Sequence, residues 1–164
     1  MAARRLGRAR LGAVAIVTLS AAKGRMLNFD WFAAHRDFGA FFIRLAVGVR
    51  LIYGTADNVF SRERMTEFEQ FLSAHGTPLA SVGAPLSVYL QFVCGILFIL
   101  GLGTRPAGAL IAVNFVAALL IAHRTTGFLD TWPALMMLAA GLFFLFNGAG
   151  RPSIDAWRAG DPAT

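Results

Sequence analysis

Four polar side chains lie within or beside long apolar stretches of this chain, and their types suit ligand binding. They are Arg50, Asp57, Gln91 and His123. Arginine, glutamine and histidine donate hydrogen bonds, and an aspartate can pass protons. Arg50 and Asp57 are seven residues apart, or two helical turns, so they share one helix face. We therefore consider a hydrogen-bonding and proton-handling site that these four residues line.

Arg50 and Asp57 belong to residues 41–60, a stretch long enough to cross a bilayer. At 1.5 Å per residue, twenty helical residues match a hydrocarbon core of about 30 Å. An ionised side chain near the middle costs about 2.5 to 3.5 kcal/mol, so such residues usually face the bundle interior. We expect the face of Arg50 and Asp57 to point inward. Arg44 lies roughly 120° away near the start of the stretch, and we expect it to reach the lipid headgroups.

Three further apolar stretches, residues 85–102, 107–122 and 132–146, each predict a span. Between the first and second spans, Ser61 can cap a short helix with one apolar face, which indicates a helix lying on the membrane surface. The predicted fold class is an all-α membrane protein. It is a bundle of four transmembrane helices with a short interfacial amphipathic helix between the first and second spans.

Composition supports a membrane domain. Apolar residues make up 57% of the chain and charged residues 15%, which is too apolar for an ordinary soluble domain. The net charge is +6, but seven of the fifteen Lys and Arg precede the first span, and no basic patch alternates with aromatic residues. We therefore expect membrane lipids as partners and no nucleic acid. The single Cys94 excludes an intrachain disulfide, and no cluster of Cys, His and carboxylate residues indicates a metal site.

The sequence predicts three parts. Residues 1–40 form a basic N-terminal tail and an interfacial lead-in, residues 41–150 form the membrane domain, and residues 151–164 form the C-terminal tail. Residues 1–25 begin with four arginines within the first ten positions, and a short apolar run follows them. Three interpretations stay open for them: a cleaved signal, an uncleaved basic tail, or an extension upstream of a true start at Met26. We favour the last two, because the next segment can itself direct insertion.

The distribution of charge orients the predicted bundle. The basic N-terminal tail, Arg105, Arg151 and Arg158 outweigh Arg62, Arg64 and Arg124 on the other side, so both termini are expected to be cytoplasmic. Alternating helix directions then place Asp57, Gln91 and His123 at similar depth in the outer half. Arg50 and Asn114 lie nearer the middle. This layer is the predicted pocket.

Several segments together resemble the DoxX family of small four-helix bacterial membrane proteins. They are FFIRLAVGVRLIYG at residues 41–54, QFVCGILFILGLGTR at residues 91–105, His123, and GAGRPSID at residues 148–155. The resemblance covers about residues 41–155. That family commonly has a glutamate where Gln91 stands and a lysine near Asn58, so this chain departs from it at both positions.

The resemblance implies a multi-pass protein of the bacterial inner membrane. Some relatives are subunits of thiosulfate:quinone oxidoreductases or are named terminal quinol oxidase subunits, and others are linked to oxidative-stress complexes. The first hypothesis is therefore a membrane subunit of a quinone-linked oxidoreductase. Arg50, Gln91 and His123 would donate hydrogen bonds to a non-covalently bound quinone, and Asp57 would pass protons; catalytic residues stay unassigned.

Alternatives remain at this point. The chain can be a non-catalytic scaffold that recruits a redox or stress-defence enzyme, or a small-solute carrier that uses the same polar layer. The expected protein partners are an oxidoreductase subunit and further copies of the chain. The polar residues also have a purely structural interpretation, in which Arg50 and Asp57 neutralise each other, Gln91 bridges helices and His123 sits at the interface.

Overall fold

The structure is a computed structural model, and it describes residues 29–121 and 127–160. The chain divides into two compact units, residues 1–36 and 37–164. In the described part of the first unit, helix α1 covers Asp30–Ala34, and the ring of His35 stacks on Trp31 with 4.3 Å between ring centroids. The interpretations of residues 1–25 concern positions outside the described residues, and the domain boundaries at residues 40 and 150 stay predictions.

Six more helices follow within the described residues. They are α2 (Arg36–Phe60), α3 (Arg62–Ala74), α4 (Ala80–Leu100), α5 (Thr104–Ile121), α6 (Phe128–Asn147) and α7 (Ile154–Arg158). Four of them, α2, α4, α5 and α6, are long and apolar enough to cross a membrane. The predicted all-α bundle of four transmembrane helices is confirmed, and α3 is the predicted amphipathic helix. Ser61 caps α3 as expected, because its hydroxyl accepts a hydrogen bond from the Arg64 N–H at 3.3 Å.

The four long helices expose large apolar side chains along their whole length. Within an apolar stretch of 18 residues in each helix, only 22% to 33% of the residues are buried. Large apolar side chains face outward along the spans, including Val113 (70% exposed), Leu129 (84%) and Phe146 (78%). A soluble domain hides such residues, whereas a membrane span presents them to lipid tails. The chain is therefore a membrane protein with four spans.

The observed spans are longer than the apolar stretches that predicted them. The helix α4 begins at Ala80 rather than at residue 85, and α6 begins at Phe128 rather than at residue 132. Pro85 and Pro133 therefore lie inside helices. Each is the sixth residue of its helix, where a proline removes one intrahelical hydrogen bond and its ring crowds the carbonyl four residues earlier, a cost that transmembrane helices tolerate.

Two pairs of glycines let the helices cross closely. At the crossing of α2 and α4, a Cβ built on Gly48 would lie 2.8 Å from the carbonyl oxygen of Gly95. At the crossing of α5 and α6, a Cβ on Gly108 would lie 2.7 Å from the carbonyl oxygen of Gly141. Small residues are the usual means of close helix packing in membranes, where no hydrophobic force drives helices together. Between these crossings the rings of Phe98 and Phe144 pack at 4.7 Å in a fully buried core.

Candidate functional site

The buried charge of the bundle is Arg44, on α2. Its side chain is 1% exposed. It donates two hydrogen bonds of 2.5 Å, from Nη1 to the Ala149 carbonyl and from Nη2 to the Pro152 carbonyl. The guanidinium also lies 5.6 Å from the ring centroid of Phe41. Arg44 thus ties the first span to the chain that follows the last span, at the end of the bundle where α2 and α5 begin and α4 and α6 end. We call this the Arg44 end.

Asp155 makes a second connection at the Arg44 end. Its carboxylate accepts hydrogen bonds from the N–H groups of Gly103, at 2.8 Å, and Thr104, at 2.9 Å. Its own N–H donates to the Gly101 carbonyl at 2.9 Å. The carboxylate therefore caps the start of α5 from a distant part of the sequence, where a negative charge also interacts favourably with the helix dipole. The predicted C-terminal tail is thus bonded into the bundle at this residue.

Gly101 makes room for both connections. It has a φ of +67°, and a Cβ there would lie 2.5 Å from Ser153 Cβ and 2.8 Å from the Arg44 guanidinium. Ser153 itself accepts a hydrogen bond from the Ala156 N–H at 3.1 Å and so caps the start of α7. Glycine is therefore required at position 101 by backbone conformation and by space.

We predict that stability depends on pH through Asp155. Burial by itself raises the pKa of this carboxyl group, but the two backbone N–H donors and the charge of Arg158 outweigh burial, so the pKa lies below its ordinary value. A lowered pKa gives stabilisation that is complete above the unfolded-state pKa of about 3.9 and is lost as the pH falls through the folded-state pKa. Thermal unfolding in detergent between pH 7 and pH 3 measures this loss of stability. We expect Asp155→Asn to be less stable than the wild type at pH 7 and to lose less stability on acidification, while Asp130→Asn, at an exposed site, should keep the wild-type profile.

The inward face of α2 differs from the predicted one. Its buried residues are Ala40, Arg44, Val47, Gly48, Leu51 and Thr55. The expectation that Arg44 reaches the headgroups while Arg50 and Asp57 point inward is therefore wrong. The reason is geometric, because at 100° per residue Arg50 lies roughly 120° around the helix from the stripe of small and apolar residues that includes Arg44. That stripe was the signal in the sequence for the buried arginine.

Arg50 and Asp57 instead lie on an exposed face of α2. We call Arg50, Tyr53, Gly54 and Asp57 the charged face of α2; all four are exposed, and Tyr53 is 81% exposed. The guanidinium of Arg50 lies against the backbone of Gly54, in the space that a side chain at position 54 would occupy. Arg50 and Asp57 form no ion pair within 4.0 Å, although both belong to the described residues.

Gln91 takes part in a separate hydrogen-bonded group between α4 and α5. Its Nε2 donates to the Ser87 hydroxyl at 3.1 Å, and that hydroxyl donates to Asn114 Oδ1 at 2.8 Å. The Nδ2 of Asn114 is buried without a hydrogen-bond partner. The bond that joins the two helices is therefore the one from Ser87 to Asn114, and Gln91 bonds within α4 and is connected to α5 only through Ser87. The contribution of Ser87 was missed, since a lone serine in an apolar stretch gives little indication of its partner.

The four predicted site residues are therefore not brought into one described pocket. Arg50 and Asp57 lie outside on α2, Gln91 lies between α4 and α5, and His123 lies outside the described residues. A cavity of about 550 Å³ opens instead at the Arg44 end, with Arg105 and Asp155 in its lining. None of these predicted residues lines it.

Comparison with known proteins agrees with this architecture. The chain is 34% identical over 94 residues to the uncharacterized membrane protein Rv3486 of Mycobacterium tuberculosis (strain ATCC 25618 / H37Rv). The aligned part covers 49% of this chain and 58% of that protein, so the chain spans less than two thirds of its length. No solved structure matches the chain significantly.

The family comparison covers the core of the bundle. A sequence model of the DoxX family matches residues 39–124, which is more than half of the chain. The matched region includes buried Arg44, the close crossing of α2 with α4, and the turn whose backbone N–H groups Asp155 caps. This chain belongs to the DoxX family of membrane proteins.

Proposed function

We propose that this protein is a membrane subunit of a larger assembly and does not function as a single chain. The observation that carries the proposal is the charged face of α2. The Cα of Arg50 lies ten residues from the end of α2, and its guanidinium extends to Gly54, about 9 Å from that end and inside the span. An ionised group at the middle of a span costs about 2.5 to 3.5 kcal/mol in contact with lipid, and part of that cost applies at this depth. Contact with another protein would remove that cost, because the partner can supply polar groups.

The assembly that we propose is a quinone-linked oxidoreductase. Its support is the DoxX membership of the chain, together with the quinone-linked complexes to which some DoxX-like proteins belong. Arg50 and Asp57 would then line the seam between subunits. A quinone that enters this seam from the bilayer would meet a hydrogen-bond donor in Arg50 and a proton acceptor in Asp57. Gln91 is a weaker candidate, because its amide is already bonded to Ser87.

The proposed location is the bacterial inner membrane, with both termini in the cytoplasm. Arg105, Arg151 and Arg158 gather at the Arg44 end, whereas Arg62 and Arg64 begin α3 at the opposite end. Positive charge in short loops favours the cytoplasmic side. Cysteines placed singly at positions 62 and 158 in intact cells test the orientation. A membrane-impermeant maleimide should label position 62 only, and labelling of position 158 alone would reverse the assignment.

Isolation of the protein from the membranes of its own organism tests the assembly. The tagged chain is expressed at its natural level and extracted directly into lipid nanodiscs. Co-purified subunits are identified by mass spectrometry, and quinone is measured in a solvent extract. We expect an oxidoreductase subunit and bound quinone, both lost in the Arg50→Ala, Asp57→Ala variant. The matched control is Arg62→Ala, Glu63→Ala, which changes an exposed cation and anion on α3 and should retain both.

The outcomes separate the alternatives. An assembly that holds neither an oxidoreductase subunit nor quinone would contradict the redox part and favour the scaffold. A chain that is monomeric in nanodiscs and carries no other protein would contradict the proposal as a whole. Solute uptake by liposomes that contain only this chain would favour the carrier instead.

A further inference from the structure

We propose that the charged face of α2 packs against the same face of a second copy of this chain, so that Arg50 of each copy pairs with Asp57 of the other. This inference rests on the proposed function, since it names the protein that covers this face in the assembly. The argument starts from the side chains of a single chain. Arg50 and Asp57 share a helix face, yet they form no ion pair within 4.0 Å.

The direction of the Arg50 side chain brings its charge close to the depth of Asp57. Because the guanidinium lies over Gly54, it sits about 6 Å along α2 from its own Cα. Three residues, or about 4.5 Å, then separate it in depth from Asp57. Two copies inserted in the same orientation are related by a twofold axis along the membrane normal, so equal residues lie at equal depth. Arg50 of one copy can therefore reach Asp57 of the other, and the reciprocal pair forms at the same time.

Gly54 lets the Arg50 side chain lie flat along this face. The guanidinium fills the space that a side chain at position 54 would occupy, and it is therefore held beside the helix and turned towards the depth of Asp57. Tyr53 is the most exposed member of the face and would supply contact area beside the charges. The face is therefore able to pack against a parallel copy of α2.

A second copy is the complement that the charges favour. The face carries one cation and one anion, so a twofold-related copy presents an anion to each cation and leaves no charge unpaired. A partner of one sign would leave either Arg50 or Asp57 without a counter-charge in the bilayer, which is costly. Self-complementary contact of this kind is the commonest form of protein dimer.

Cysteine cross-linking tests the contact without changing either charge. Tyr53→Cys is placed in a Cys94→Ala background, because Cys94 is the only native cysteine. In native-like membranes we expect oxidation to give a covalent dimer of this chain. The matched control is Val113→Cys, also strongly exposed but on α5, which should not form that dimer. Cross-linking at position 53 to a different protein would overturn this inference and leave the proposed function standing.

A charge exchange tests the pairing itself. Dimerisation of purified protein is measured in liposomes by counting subunits at decreasing protein-to-lipid ratios. Arg50→Asp and Asp57→Arg each place like charges opposite each other and are expected to raise the dissociation constant at least roughly thirtyfold. The double variant restores opposite charges and should recover most of the wild-type affinity.

Three results would overturn the inference: a wild-type chain that stays monomeric at every ratio, single variants that dimerise as the wild type does, or a folded double variant that fails to recover. The cross-linking result decides the case if a single variant does not fold, because that experiment keeps both charges. If the chain is monomeric but still co-purifies with an oxidoreductase subunit, only the dimer inference is contradicted. If it is monomeric and co-purifies with no partner, the proposed function is contradicted as well.

Discussion

Replacing Arg44 with methionine is expected to destabilise the protein by about 2 to 4 kcal/mol and to release the segment that follows α6. Methionine keeps much of the length and apolar volume of arginine, but it donates no hydrogen bond. The buried carbonyl oxygen of Ala149 and the partly buried one of Pro152 then lose their donors, and an unpaired buried carbonyl costs about 1 to 3 kcal/mol. Removing a buried charge offsets part of this loss.

Two measurements check this prediction. Unfolding in detergent gives the loss of stability, and hydrogen exchange should show faster exchange at residues 155–157, whose N–H groups bond to the Gly101 carbonyl or to Ser153. Arg105→Met is the matched control, because Arg105 is exposed at the same end and its loss should change stability by less than about 0.5 kcal/mol. The stability of Arg44→Lys should lie between those of Arg44→Met and Arg105→Met, because an ammonium group cannot bond to both carbonyls as the forked guanidinium does. Equal stability of the Arg44→Met protein and the wild type would show that these bonds do not hold the segment.

Replacing Gly108 with alanine should disrupt the crossing of α5 and α6. The new Cβ would lie 2.7 Å from the Gly141 oxygen and 2.7 Å from the Leu145 nitrogen. Both are backbone atoms, so relief requires the helices to move apart and not merely a side chain to rotate. We expect a loss of about 1 to 3 kcal/mol for alanine and more for leucine. Gly141→Ala should lose a similar amount of stability, because its Cβ would lie 2.9 Å from the Ala112 nitrogen.

Gly83→Ala is the control for the glycine prediction. Gly83 lies in α4, and apart from its chain neighbours and the adjacent backbone of its own helix no atom comes within 4 Å of a Cβ built there. Alanine is the better helix former, so this change should be neutral or should stabilise by up to about 1 kcal/mol. Thermal unfolding of the three variants in the same detergent ranks them. If Gly83→Ala and Gly108→Ala lost equal stability, helix contact would not be the cause.

The sequence predicted the class of fold well because span length and apolar content act locally. The four spans and the Ser61 cap needed no knowledge of which helices touch. The ends of the spans were less predictable. Small residues at the start of α4, and Asp130 and Thr131 at the start of α6, lower the local apolar content, yet the helical backbone includes them.

The inward face of α2 could not be read from charge alone. The prediction paired Arg50 with Asp57 and considered only residues of α2 itself. It left out the segments that pack against α2. Arg44 is buried because carbonyls at residues 149 and 152 reach it, and nothing local to α2 shows that they do. The same holds for Asp155, whose donors lie 51 and 52 residues away. Contacts between distant segments decide these positions.

The separation between Arg44 and its acceptors also bears on how the protein is made. Ala149 follows Arg44 by 105 residues, which takes about 5 to 20 s to synthesise at 5 to 20 residues per second. During that interval the first span has already left the ribosome while its guanidinium still lacks both carbonyl partners. Its position near a helix end lets water or headgroups solvate it meanwhile. Ribosomes stalled before residue 149 should therefore hold a first span that has entered the bilayer less deeply than in the finished protein.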